Sequence, residues 1–190
     1  MSRPLKVTAV AGSYKLPSRT AALVAALTEK LGQQIAIDLH QIDLSEIGGS
    51  FTASFDPRDL PARVQKDITA IETADLLIVA TPVYRASYSG LFKHLFDLVN
   101  YEALIDVPVL LGATGGSDRH ALIIDHELRP LFSFFQALTL PVGVYATEAD
   151  FENYQVKSEA LKARIELAIA RALPLLKHRV TVTEASLQAI

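Results

Sequence analysis

Five short apolar runs, each the length of a strand and each separated from the next by a segment with helical spacing, limit what this chain can fold into. They are Leu5–Ala11 (LKVTAVA), Ile35–Ile42 (IAIDLHQI), Leu76–Thr81 (LLIVAT), Val107–Ala113 (VPVLLGA) and Thr139–Ala146 (TLPVGVYA). The first and third are almost continuously apolar, which predicts parallel strands covered by helices on both faces. The second mixes in polar residues and is expected nearer a sheet edge. Between the runs, apolar residues recur every three or four positions: Leu23, Leu27 and Leu31; Val64, Ile68 and Ile71; Leu91, Leu95 and Val99. The longest stripe is Leu161, Ile165, Ala168, Ile169, Ala172 and Leu176. Asp118–Leu138 also reads as helix, with Pro130 predicted at a bend or irregular turn.

This alternation predicts an α/β fold, a doubly wound three-layer sandwich around a five-stranded parallel sheet in the order 2-1-3-4-5. The 190 residues, half of them apolar, suffice for one substantial core. One domain is expected over 1–176. The remainder, 177–190, carries no strong pattern and is expected as a tail, loose or docked on a neighbouring subunit. Gly48–Leu60 is expected as a loop excursion before the second helix.

Composition removes several function classes. A formal net charge of −3, with no Lys/Arg-rich run, argues against nucleic acid as a partner. No apolar stretch has the length of a membrane span. With no export signal at the N-terminus, the expected location is cytoplasmic. Zero cysteines exclude a disulfide framework, a thiolate nucleophile and an iron–sulfur cluster. His120 and His126 are too far apart in sequence to share a helix face as i,i+4 metal ligands, and no Gly-x-Ser-x-Gly elbow is present. Neither a metal site nor a hydrolytic site is expected.

Ligands in such a fold bind outside the carboxyl ends of the strands, at the switch point between strands one and three. Three loops therefore matter. Gly12-Ser13-Tyr14-Lys15-Leu16-Pro17-Ser18-Arg19-Thr20 opens the first helix, where free backbone N–H groups and the dipole attract an anion. The hydroxyls of Ser13, Ser18 and Thr20 and the charge of Arg19 suit a phosphate monoester. An ordinary helix cap at Ser18, with Arg19 solvated, accounts for the same residues. Thr81–Gly90 follows strand three. There Pro82 stiffens the turn and Tyr84 can lie along a flat ligand, unless it is simply a half-buried aromatic. Ala113-Thr114-Gly115-Gly116-Ser117 follows strand four, and its glycines let amides approach a ring system or make a plain turn. Taken together, one anion loop and two close-approach loops fit a flat ligand bearing a phosphate.

At these residues the sequence resembles the NADPH-dependent FMN reductase family of the flavodoxin-like superfold. AGSYKLPSRT, TPVYRASYSGLFKHLFD and ATGGSDRHALIIDHELRP are similar, in that order, to the family's three flavin-contact segments, and the likeness runs from Lys6 to Leu176. It is greatest to the small reductases of two-component alkanesulfonate or methanesulfonate monooxygenase systems. The resemblance implies that FMN is reduced by NADH or NADPH and handed as FMNH₂ to a separate flavin-dependent monooxygenase, by a homodimer or homotetramer. It places Ser13, Ser18, Arg19 and Thr20 on the FMN phosphate. Pro82, Val83, Tyr84 and Arg85 fall along the isoalloxazine and ribityl chain, and Thr114, Gly115, Gly116 and Ser117 at the polar ring edge. It also implies an extra residue in the fourth helix, a π-bulge at a subunit interface. His126 falls there where other members carry tyrosine, and a plain helix-surface histidine is the alternative.

Hydride transfer is chemistry of the flavin, so no catalytic acid or base is expected in the protein. Amides of Gly115–Ser117 near the pyrimidine edge are expected to stabilise the reduced, anionic ring. Two other functions share the fold: a quinone or azo reductase that retains its FMN, and a flavodoxin-like electron carrier. The choice between NADH and NADPH stays open.

Overall fold

The structure is a computed structural model that describes the backbone of residues 3–188 and the side chains of residues 3–177. Its strands fall where the apolar runs predict: β1 (Leu5–Ala11), β2 (Ile37–Asp43), β3 (Leu76–Pro82) and β4 (Pro108–Gly115). The fifth run differs. It is broken into β5 (Leu138–Thr139) and β6 (Val144–Thr147), both pairing with β4. Pro141 cannot donate to a ladder, and the carbonyls between the two pieces are taken by side chains instead. Arg129 donates to Leu140 O (2.8 Å) and Pro141 O (2.9 Å), and Arg164 donates to Gly143 O (2.9 Å). Together the two pieces fill one position, and the parallel sheet has the order β2-β1-β3-β4-β5, with β2 at an edge as its polar residues predict. The fold is flavodoxin-like.

Period-two alternation divides the central strands between two cores. Leu76, Ile78 and Ala80 of β3 face the layer of α1 (Arg19–Gly32) and the last helix, α6 (Glu159–Gln188). Leu77 and Val79 face α2 (Leu44–Phe51), α3 (Ala62–Glu72), α4 (Gly90–Asp97) and α5 (Arg129–Phe134). The stripes Leu23, Leu27, Leu31 and Leu161, Ile165, Ile169 are fully buried, each side chain contributing about 1.5–3 kcal/mol of transfer free energy. The expected boundary at 176–177 falls inside α6, which runs on to Gln188 through Pro174; the side chains of the expected tail from His178 lie outside the described residues.

Two expectations for the connections need correction. Gly48 and Gly49 are not in a loop but inside α2, which Asp43 caps by accepting from Ser45 N. A Cβ on Gly48 would meet the Leu91 side chain of α4 where it now lies, so the glycine leaves room for that leucine. The segment Asp118–Leu138 is not one helix. It is a 3₁₀ turn (Asp118–His120), a π-helical turn (Ile124–Leu128) and the short α5, with Pro130 at the start of α5 where its missing N–H is tolerated. No helix among the described residues is long and apolar enough to cross a membrane.

Candidate active site

The three strand-end loops converge as the topology requires, and hydrogen bonds tie them together. The Ser89 hydroxyl, which caps α4, donates to Gly12 O at 2.9 Å and joins the second loop to the first. Val83 N donates to Thr114 O at 2.8 Å and joins the second to the third. Thr20 Oγ1 and Thr114 Oγ1 share a buried 2.7 Å bond between the third and the first. Beneath them the backbone packs closely, since a Cβ on Gly12 would lie 2.9 Å from Ala80 O.

These loops wall a cavity of about 290 Å³. Of the residues expected at the site, Ser13, Ser18, Arg19 and Thr20 line it from the first loop. Pro82, Val83 and Tyr84 line it from the second, and Thr114, Gly115 and Gly116 from the third. Arg85 and Ser117 are exposed and stand outside that lining. Arg85 and Ala86 are the central residues of a tight turn, with φ of 52° and 70°. Tyr84 and Ser87 close that turn by exchanging backbone bonds of 2.9 and 3.2 Å, and the Ser87 hydroxyl donates to Glu127 of the π turn at 2.8 Å. Ser117 turns its carbonyl to the Tyr145 hydroxyl at 2.6 Å. His126 lies in the π turn, exposed.

The donor set at the start of α1 suits an anion. Ser18 Oγ accepts from Ala21 N (3.1 Å) as the helix cap, which leaves its own O–H to donate. The N–H groups of Arg19 and Thr20 lie ahead of the intrahelical ladder. Lys15 and Arg19 supply positive charge, and Glu148 is the acid in the lining. Tyr84 leans on Tyr14, with ring centroids 5.1 Å apart. Burial, then the neighbouring Tyr14, pushes its phenol above the ordinary value, so it stays a neutral donor. Burial and the charge of Asp118 act the same way on Tyr145.

A family model described as NADPH-dependent FMN reductase matches residues 5–152, which carry all three loops. The chain belongs to the NADPH-dependent FMN reductase family. Its relatives agree closely. It is 61% identical over 175 residues, 92% of this chain and 94% of the relative, to "NADH-dependent FMN reductase SfnF" of Pseudomonas fluorescens. It is 58% identical over 179 residues, 94% of this chain and 96% of the relative, to "FMN reductase (NADPH)" of Pseudomonas aeruginosa. Among solved structures, an oxidoreductase from Corynebacterium diphtheriae superposes with a TM-score of 0.83 at 31% identity, covering 93% of this chain and 99% of that one. The chain is an NAD(P)H:FMN oxidoreductase, with FMN as its flavin and NAD(P)H as co-substrate.

Four further residues line the cavity: Lys15, Pro17, Glu148 and Tyr154. The first two lie within the first strand-end loop itself. Glu148 and Tyr154 follow β6, and applying the strand-end rule to the fifth strand as well as to the first, third and fourth would have found them.

Proposed function

We propose that this reductase supplies reduced FMN to a separate flavin-dependent monooxygenase acting on an alkane- or methanesulfonate. The observation that carries this reading is the exposure of the anion loop. Arg19 is 38% exposed, and Tyr14, Lys15, Leu16 and Pro17 beside it face solvent. A terminal phosphate gripped there sits at the edge of the protein, where a flavin can leave as well as enter. The high identity to a relative named SfnF, and the likeness to reductases of sulfonate systems, support the same reading.

In this reading the first-turn amides of α1, the Ser18 hydroxyl and Arg19 hold the FMN phosphate. Pro82, Val83 and Tyr84 border the ring and ribityl chain, and the Thr114–Gly116 backbone meets the polar ring edge. FMN supplies the hydride-accepting chemistry. The protein orients the ring, and amides at the third loop favour the negative charge that reduction places on its pyrimidine side. No side chain is assigned a proton-transfer role. Homo-oligomerisation and a cytoplasmic setting, where NAD(P)H is available, belong to the same proposal.

The test is direct. Purified protein should be colourless, and it should oxidise NAD(P)H only when free FMN is added. Adding the monooxygenase and an alkanesulfonate should couple that oxidation to loss of the sulfonate. A yellow protein that reduces quinones without added flavin would overturn the proposal in favour of a retained cofactor.

A further inference from the structure

We propose that Glu148, backed by the ring of Tyr154, is a clip on Arg19 that competes with the flavin phosphate and sets how readily the flavin leaves. The inference rests on the placement of that phosphate at the Ser13–Thr20 loop.

Arg19 already has an anionic partner. Its Nη1 donates to Glu148 Oε1 at 2.9 Å, and its guanidinium carbon lies 5.7 Å from the centroid of the Tyr154 ring. Both partners come from one excursion after β6 and both line the same cavity as the helix start. That excursion is firmly held. Thr147 N and Oγ1 donate to Asp150 Oδ2 at 2.7 and 2.9 Å, closing the turn that carries Glu148. Lys157 N and Ser158 N donate to Asp150 O at 2.8 and 3.2 Å. Tyr154 stands at the tip of the hairpin between β7 (Phe151–Glu152) and β8 (Gln155–Val156), with φ of 60°, a region bulky residues rarely occupy. Backbone conformations of this kind persist where the surroundings over-determine them, and they cluster at ligand clamps.

One positive charge then faces two claims. A guanidinium offers five N–H donors but a single charge, and a carboxylate in the same cavity repels an incoming phosphate. The ion pair is weak, because its side chains are 38% and 61% exposed. A phosphate can therefore displace Glu148, and Glu148 can retake Arg19 as the phosphate departs. A carboxylate that only oriented Arg19 for the phosphate would act in the opposite direction, which makes the sign of the effect decisive.

The experiment measures binding and dissociation of oxidised FMN and of riboflavin, by flavin fluorescence, for the wild type, Glu148→Gln, Arg19→Ala and the double variant. The clip predicts that Glu148→Gln tightens FMN by roughly three- to five-fold, the scale of an exposed ion pair. FMN dissociation should slow accordingly, while riboflavin affinity stays the same. In the Arg19→Ala background only the part due to direct carboxylate–phosphate repulsion should remain, a smaller gain than in the wild type. Unchanged or weaker FMN binding by Glu148→Gln overturns the clip, as does equal tightening of riboflavin. The Arg19→Ala variant separates this from the underlying reading. If it weakens FMN and riboflavin equally, the phosphate placement itself fails. If it weakens FMN selectively and Glu148→Gln does not tighten it, the clip alone fails.

Discussion

At the opposite end of the sheet from the cavity, a carboxylate is held by three hydrogen bonds. Asp75, just ahead of β3, accepts two bonds from the Arg3 guanidinium at 2.6 and 2.8 Å and a third from Lys6 N at 2.8 Å. Burial alone would raise its pKa. The Arg3 and Lys6 bonds outweigh that, and the carboxyl sits below its ordinary value. A depressed carboxylate pKa contributes stability that is fully present above the unfolded value, near 4, and is lost as pH falls through the folded value. Thermal stability should therefore fall below about pH 4, and part of that fall belongs to this pair. Arg3→Met should cost about 1 kcal/mol or less at pH 7, because the pair is partly solvated, and should flatten the acid limb of the profile. A variant with an undiminished acid limb would show that other carboxylates carry it.

At the scale of elements, two tight turns border the cavity, and each has two non-glycine residues at positive φ: Arg85 and Ala86 in one, Asn153 and Tyr154 in the other. This geometry is the type I′ turn, which favours Asn-Gly or Gly-Gly. Ala86 faces solvent and gains nothing from its side chain there. Ala86→Gly should thus stabilise the protein by about 0.5–1 kcal/mol, raising the melting temperature by roughly 1–4 °C. An unchanged or lower melting temperature would show that the turn does not hold this shape. The same turns mark where the sequence was least legible. Tyr-Arg-Ala-Ser and Glu-Asn-Tyr-Gln lack the glycine that signals such a turn, so their shape is imposed by neighbours, one of them Glu127 through Ser87. The first loop's place in the cavity lining was legible because its residues are contiguous in the chain. Glu148 was not, because its bond to Arg19 spans 129 positions and no local pattern encodes it. Gly48 misled for the same reason: a glycine that admits Leu91 from another helix looks, in sequence, like one that makes a loop. Of the fifth strand the position was readable and the continuity was not, since Pro141 hands the ladder over to Arg129 and Arg164.

A second cleft, larger than the cavity at the strand ends, lies elsewhere on the molecule. It has a volume of about 1030 Å³ and lies along α3, the end of α4 and α5, walled by Ile68, Phe96, Leu131, Phe134 and Phe135. Phe134 is 69% exposed and Tyr101 60% exposed on its border. Its lining includes Arg58, Lys93 and Asn100, but it shares no residue with the lining of the cavity at the strand ends. Its apolar walls fit the homo-oligomer proposed above, since exposed apolar patches of this kind mark association surfaces. The π turn that leads into α5 also carries Glu127, whose bond to Ser87 reaches the second loop of the site. Burying this face would thus steady an element that touches the second loop of the candidate site without covering the cavity itself. Phe134→Asp places a charge where the partner's apolar face would lie and, being exposed in the single chain, should leave the fold intact. Light scattering should show a smaller species than the wild type at equal concentration, with FMN affinity within about two-fold, a change of no more than roughly 0.4 kcal/mol. If the mass is unchanged, the association surface lies elsewhere. If the mass falls and FMN affinity collapses with it, the oligomer completes the flavin site, and the cavity in one chain is only part of it.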